Sequence, residues 1–124
     1  MNDKLLKNVY ETMDSMFDNI KVESVYLGGT TNAVETKTLA SGKLSDYDFI
    51  TLESGWGYNK TVSVMPMDRF LAIASNFDVM VTYIKTYGGA GWVSLNHIND
   101  TQFKINGAAG TDVVTTVYGL KIKK

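Results

Sequence analysis

Few side chains in this sequence could support catalysis or bind a metal, and they are scattered. There is one histidine, His97, and no cysteine. Only Asn99 and Asp100 stand near His97, a weak donor set for zinc and too sparse for calcium. Asp46 and Asp48 are two residues apart, so on a strand they would share a face, and paired carboxylates are what glycosidases use. Aspartates at the start of a strand are more often turn residues.

The motifs that organise catalysis are also missing. The sequence has no Gly-x-Ser-x-Gly turn to present a nucleophilic serine and no glycine-rich phosphate loop before a helix. A hydrolase needs a nucleophile, a base and a group that holds charge, and no motif supplies the three together. We therefore predict that the chain is not an enzyme and that it uses neither a metal nor a cofactor.

Aromatic residues beside glycines favour a binding function. Trp56, Tyr58 and Tyr87 lie in or next to glycine-rich loops, where a ring can stack on a sugar or anchor a protein contact. Asn59 adds an amide that both donates and accepts hydrogen bonds. The alternative, that the rings fill the core, is favoured for Trp92 and stays open for Trp56 and Tyr58. We predict a binding site at Trp56, Tyr58, Asn59 and Tyr87.

Composition and charge limit the partners. A chain of 124 residues has room for one core. Its 12 Lys and Arg against 13 Asp and Glu give a net charge of -1, so no basic cluster favours nucleic acid. No segment approaches the ~18 apolar residues of a membrane helix, and no signal peptide is visible. We expect neither nucleic-acid binding nor membrane insertion.

Residues 22–124 show the pattern of short strands separated by glycine turns. Eleven glycines, one proline and a period of two predict seven or eight strands, typical of an antiparallel β-sandwich of jelly-roll type. We read Gly28 and Gly29 as a turn. Phe103 and Ile105 are expected to point inward. In the last strand, we expect a buried face formed by Val114, Thr116, Tyr118, Leu120 and Ile122, opposite Thr115, Gly119, Lys121 and Lys123.

Residues 1–21 differ from the rest. No glycine or proline interrupts Asp3 to Ile20, and apolar residues recur every three or four positions, which predicts an amphipathic helix. This apolar stripe consists of Leu6, Val9, Met13, Met16 and Ile20. The helix would pack either on its own β domain or on partner chains, and two heptads are too few to establish a coiled coil.

Several segments in order resemble the C-terminal β-sandwich domains of phage tail fibres and related phage receptor-binding proteins. The segments are Val25–Gly29, Thr36–Leu39, Leu44–Ile50, Thr101–Ile105 and Val117–Lys121. Their order and spacing match over about residues 22 to 123. Between Gly55 and Gly91 the match is poor, so the resemblance carries over no residue that contacts a receptor.

The resemblance implies a homotrimer at the distal tip of a fibre. It implies a virion protein that is made in the host cytoplasm, joins other virion proteins, and recognises a glycan or protein on the host surface. The stripe of the N-terminal helix would then be the trimer interface, as a short trimeric coil or the end of a shaft. The alternatives are a structural virion component, such as a head fibre or decoration protein, and a stand-alone carbohydrate-binding module.

Overall fold

A computed structural model describes most of the chain. The described residues are Lys4, Lys7, Asn8, 21–31, 34–56, 59–86, 89–107 and 113–123, without the side chains of residues 85, 86, 89 and 90. Within the predicted N-terminal helix, Lys4, Lys7 and Asn8 are helical and exposed. The stripe residues Leu6, Val9, Met13, Met16 and Ile20 lie outside the described residues, so their role stays a prediction.

The predicted mostly β architecture is confirmed. The strands are β1 (Lys21–Thr31), β2 (Glu35–Thr38), β3 (Phe49–Trp56), β4 (Asn59–Pro66), β5 (Val79–Thr86), β6 (Gly89–Asn99), β7 (Gln102–Gly107) and β8 (Val114–Lys123). A short helix, α1 (Met67–Ala72), and a 3-10 turn (Leu44–Asp46) complete the described elements.

The strands form two antiparallel sheets that face each other. The first sheet has the order β1-β8-β3-β4 and the second β2-β7-β6-β5. A jelly roll pairs its third strand with its sixth and its fourth with its fifth, whereas here β3-β4 and β5-β6 remain hairpins. Only two residues separate the strands of each hairpin, 57–58 in one and 87–88 in the other, and closing so short a connection costs little entropy, which favours this local pairing. The predicted β-sandwich is therefore confirmed, and it keeps the β1-β8, β8-β3 and β2-β7 pairs of a jelly roll but not the jelly-roll partners of β4, β5 and β6.

The core lies between the sheets and receives every second side chain of the central strands. Ile50 and Leu52 enter it from β3, and Leu95 from β6. Phe103 and Ile105 of β7 are fully buried, as the sequence predicted. A polar pair lies within the core region: the hydroxyls of Ser54 and Thr115 are 2.9 Å apart and hydrogen-bonded, which satisfies both buried groups.

The closing strand β8 faces the opposite way from the prediction. Thr115, Val117 and Gly119 are buried, while Val114 and Ile122 are exposed. The reason is register, because Val117 and Gly119 pair with the inward-facing Leu52 and Ile50. In a strand, a shift of one residue exchanges the two faces, and the larger apolar set of β8 points away from the core.

Gly28 and Gly29 do not form a turn. They lie within β1, where the register with β8 shifts between Tyr26 and Gly28, so a bulge leaves Leu27 without a partner in the register. Gly28 has φ +157°, and a side chain there would press on Lys37 and Phe103. The bulge lets the strand bend without ending.

The connections divide between the two ends of the sandwich. Lys21 pairs with Lys123, so the residues at which the described β domain begins and ends lie together at one end, the chain-end pole. At the opposite end, which we name the hairpin pole, Gly55 pairs with Val114 and Thr31 also pairs with Val114. The described ends of the β3-β4, β5-β6 and β7-β8 connections, and the end of β1, all lie at the hairpin pole.

Candidate ligand-binding surface

The structure locates two of the four predicted binding residues. Trp56 pairs with Asn59 in the last register position of the β3-β4 hairpin, at the hairpin pole. Asn59 is exposed, whereas Trp56 is partly buried and packs against the core. Tyr58 and Tyr87 lie outside the described residues, and their role stays a prediction. Trp56 therefore supports the hairpin from the core side.

The two hairpins that carry the predicted residues are neighbours. β4 is the edge of the first sheet and β5 the edge of the second, and these edges lie side by side. A hydrogen bond of 3.1 Å between the hydroxyls of Ser63 and Thr82 joins them. Both strands run from this bond toward the hairpin pole, β4 against the chain direction and β5 along it. The predicted residues thus belong to one end of the molecule.

An aromatic pair that the sequence did not identify lies next to this pole. Tyr83 and Trp92 are register partners on β5 and β6, on the face of the second sheet that points away from the core. Tyr83 is 80% exposed and Trp92 is partly buried. Directly opposite residues of an antiparallel pair have β carbons about 5 Å apart, so the two side chains leave the sheet at neighbouring positions. The expectation that Trp92 fills the core is wrong, because its neighbour Val93 takes the inward position.

The alternation within β5 could not reveal this pair from the sequence. Thr82 and Ile84 are buried, while Val81 and Tyr83 are exposed. In the sequence, apolar side chains occupy both faces of this strand, so periodicity could not decide which set points inward. The inward bond of Thr82 to Ser63 and to the carbonyl of Met80 satisfies its hydroxyl and fixes the choice.

A carboxylate lies close to the aromatic pair on the same face. Asp78 Oδ1 accepts hydrogen bonds from Ser94 Oγ at 3.0 Å and from Asn106 Nδ2 at 3.1 Å. Ser94 follows Trp92 by two residues on β6, which places Asp78 about 7 Å along the strand from Trp92. Hydrogen bonds from Asn106, and then from Asn96 and Ser94, hold the pKa of Asp78 below its ordinary value against a smaller desolvation effect. Asp78 is therefore ionised at neutral pH.

This combination is suited to a sugar. The exposed ring of Tyr83 offers a flat apolar surface for the C–H face of a pyranose, and its register partner Trp92 adds a second, partly buried aromatic side chain on the same face. The carboxylate of Asp78 accepts hydrogen bonds from hydroxyl groups, and the amide of Asn106 is half engaged, with further capacity to donate and accept. We call Tyr83, Trp92, Asp78 and Asn106 the aromatic platform.

The side chains considered for catalysis each make a structural contact. Asp46 Oδ2 accepts the backbone N–H of Lys43 at 2.8 Å, and Asp48 Oδ2 accepts that of Ile122 at 2.7 Å. His97 Nδ1 lies 3.0 Å from the carbonyl oxygen of Ile73. Each of these contacts joins a connecting segment to its neighbours.

Asn99 and Asp100 behave in the same way. Asn99 Oδ1 accepts the backbone N–H of Thr101 at 2.9 Å, which closes the β6-β7 turn. Asp100 accepts both the backbone N–H and the hydroxyl of Ser45, at 2.9 and 2.8 Å. Within the described part of the chain, no three His, Asp or Glu side chains come together in a way that could hold a metal ion.

The comparisons with known proteins add no relative. No protein-family model, no curated protein and no solved structure matches the chain. Among the described residues, no helix is long and apolar enough to cross a membrane.

Proposed function

We propose that this chain is the receptor-binding domain at the tip of a phage tail fibre, that it works as a homotrimer, and that it recognises a glycan on the host surface. One observation carries the proposal. The chain enters and leaves the sandwich at the chain-end pole, where Lys21 pairs with Lys123, and the hairpins project at the other end. A fibre attached at the first pole would present the second to a host cell.

The segments that resemble tail-fibre domains have a shared structural role, which supports the proposal. The Leu44–Ile50 segment lies at the chain-end pole, where Leu44 is fully buried and Tyr47 covers Gly119 of the Val117–Lys121 segment. The Thr101–Ile105 segment begins there too, because Leu44 donates its backbone N–H to the carbonyl of the neighbouring Asp100 at 2.7 Å. The resemblance therefore follows the frame of the sandwich and not its hairpin pole.

The aromatic platform favours a glycan over a protein receptor. A single tyrosine ring with a carboxylate and an amide provides stacking and directional hydrogen bonds on a small area. One such site binds weakly. Three copies on a trimer raise the effective affinity through avidity, which gives a physical reason for a trimeric tip.

A structural virion component remains the second candidate because of one observation. The outer face of the first sheet exposes several large apolar side chains, among them Val22, Tyr26 and Val64, which favours permanent assembly. Such a component would form the same trimer without binding a glycan. A stand-alone carbohydrate-binding module would instead be a monomer.

The experiment that tests the function uses Tyr83→Ala, because a ring that is 80% exposed can be removed with little effect on folding. The matched control is Ile98→Ala, an exposed apolar residue of β6 near the chain-end pole. Wild type and both variants are applied to a broad glycan array, with melting temperature as the folding control. We expect wild type and Ile98→Ala to retain the same glycans and Tyr83→Ala to lose them. Retention by Tyr83→Ala would contradict the glycan site, and no retention by wild type would favour the structural component.

A further inference from the structure

The outer face of the first sheet is apolar across all four of its strands. Side chains that alternate with the core residues point outward from β1, β8, β3 and β4, and the register aligns them in rows. The central row runs Tyr26, Tyr118, Thr51, Val64, and the rings of Tyr26 and Tyr118 meet edge to face with centroids 5.7 Å apart. The other apolar members are Val22, Phe49, Val62, Val114, Leu120 and Ile122. We name this set the outer apolar face.

Much of this face is accessible. Val22, Tyr26, Val62, Val64 and Val114 are each more than half exposed. Four strands about 4.8 Å apart and about 27 Å long define a plane of about 500 Å². Contiguous apolar patches above a few hundred Å² mark interaction sites, and a stable interface buries about 800 Å² of accessible surface on each partner. Side chains that protrude from the plane bring this face close to that size.

The charge distribution of the face suits a second copy of the same chain. Glu53 is the acidic side chain among the outward rows of β3, and it is paired with Lys60 Nζ at 3.9 Å and accepts a hydrogen bond from Thr116 at 3.3 Å. Because this acidic side chain has its countercharge beside it, two copies of the face can approach without repulsion. An apolar, charge-depleted face is also what homo-oligomer interfaces have in common.

The position of the outer apolar face relative to the chain ends also favours packing against further copies of the chain. β1 forms one border of the face, and the twenty residues before Lys21 join it at the chain-end pole. Copies that pack through this face with their strands parallel bring their Lys21 residues together. The predicted stripe of Leu6, Val9, Met13, Met16 and Ile20 would then continue the same interface toward the fibre.

We infer that the outer apolar face is the interface through which three copies of this chain assemble, with the three faces turned toward one axis parallel to the strands. The inference rests on the proposed function for the number of copies and for their parallel orientation. It places the aromatic platform, on the other sheet, at the outside of the trimer. It also assigns a role to the exposed apolar side chains of β8, which do not contribute to the core.

The test measures the mass of the full chain in solution for two double variants. Val22→Lys with Val64→Lys puts two charges on opposite borders of the face. Val34→Lys with Val81→Lys is the matched control, because both of these valines are about half exposed and lie outside the face. We expect three chain masses for wild type and for the control, and one chain mass for the Val22 and Val64 variant. Because the altered side chains are exposed, each variant should keep a cooperative melting transition.

A trimer that survives both double substitutions would overturn this interface and leave the proposed function standing. A wild type of one chain mass would overturn the interface and the trimer of the proposed function together. Labelling of Val64→Cys with a thiol reagent then identifies what covers the outer apolar face. The chain has no cysteine of its own, so only the introduced residue reacts. A thiol reagent should react slowly with this variant in the trimer and rapidly with Val81→Cys. Protection of Val64→Cys in a species of one chain mass would assign the cover to the chain's own first twenty residues, which also overturns the inference.

Discussion

The ring of Tyr47 lies directly over Gly119, where the sandwich closes at the chain-end pole. A β carbon on Gly119 would be 2.6 Å from Tyr47 Cγ and 2.7 Å from Cδ1, closer than packed atoms approach. Gly119 is buried and pairs with Ile50 in the middle of the first sheet. Gly119 is therefore required because it has no side chain, and the ring of Tyr47 occupies the volume that a side chain at position 119 would take.

Gly119→Ala is expected to destabilise the fold by about 1–3 kcal/mol, because overpacking forces either the ring or the strand to move. Urea unfolding of both proteins gives the difference in the free energy of unfolding. In a Tyr47→Leu background, Gly119→Ala should lower the free energy of unfolding by less, because positions 47 and 119 share the space differently when the ring is gone. Equal costs in the two backgrounds would show that Gly119 is required for a reason other than Tyr47.

Asp48 links three segments at the same pole, and removal of its carboxylate should weaken the link to β8. Its carboxylate accepts the backbone N–H of Ile122 at 2.7 Å, and its backbone bonds to Leu120 and Met67 are 2.8 and 2.9 Å. Asp48→Ala deletes only the first contact, so we expect a loss of about 1–2 kcal/mol. Hydrogen exchange should become faster at the Ile122 amide, while the Leu95 amide in the other sheet serves as the control. An unchanged exchange rate at Ile122 would contradict this role.

Asp78 should make part of the stability depend on pH. Its pKa is lowered by hydrogen bonds, chiefly from Asn106, from an ordinary value of 3.8. A lowered folded pKa means that the stabilisation is present above the unfolded value and is lost as the pH falls through the folded value. We therefore expect the stability of wild type over Asp78→Asn to shrink as the pH falls below about 4. Melting temperatures of both proteins between pH 2 and 7 measure it, and parallel curves would contradict the assignment.

Trp56→Ala should affect folding before it affects binding, because the ring packs against the core. We expect a loss of roughly 2 kcal/mol, less than the ~3–5 kcal/mol of a fully buried tryptophan. Tyr58→Ala is the comparison, and as a predicted binding residue it should weaken glycan retention at an unchanged melting temperature. If Trp56→Ala melts like wild type and loses glycan, then Trp56 belongs to the site as the sequence suggested.

The sequence predicted the strands well because their alternation is local information. Phe103 and Ile105 face inward as expected, and Pro66 ends an edge strand, where its missing N–H does no harm. The faces of β8 could not be predicted, since both sets of side chains suit a sheet and only pairing with Ile50 and Leu52 decides between them. From the sequence alone, the larger apolar set of β8 is expected to face the core.

The candidate site was harder to predict than the fold. Asp78 and Asn106 are 28 residues apart in the sequence. They meet because β5, which follows Asp78, and β7, which contains Asn106, lie on either side of β6. Tyr83 and Trp92 become neighbours through hairpin register. The glycine-rich loops in the sequence favour Trp56 and Tyr58 as binding residues, and in the structure Trp56 is partly buried and packs against the core.

The claim that the hairpin pole meets the receptor can be tested most directly by mapping a bound glycan on the wild-type protein. Backbone amide shifts are recorded while the strongest glycan from the array is added. We expect the perturbed amides to cluster at Tyr83, Trp92, Asn106 and the ends of the β3-β4 and β5-β6 hairpins, while those of Lys21 and Lys123 stay unchanged. Perturbations concentrated at the chain-end pole, around α1 and Lys123, would contradict it.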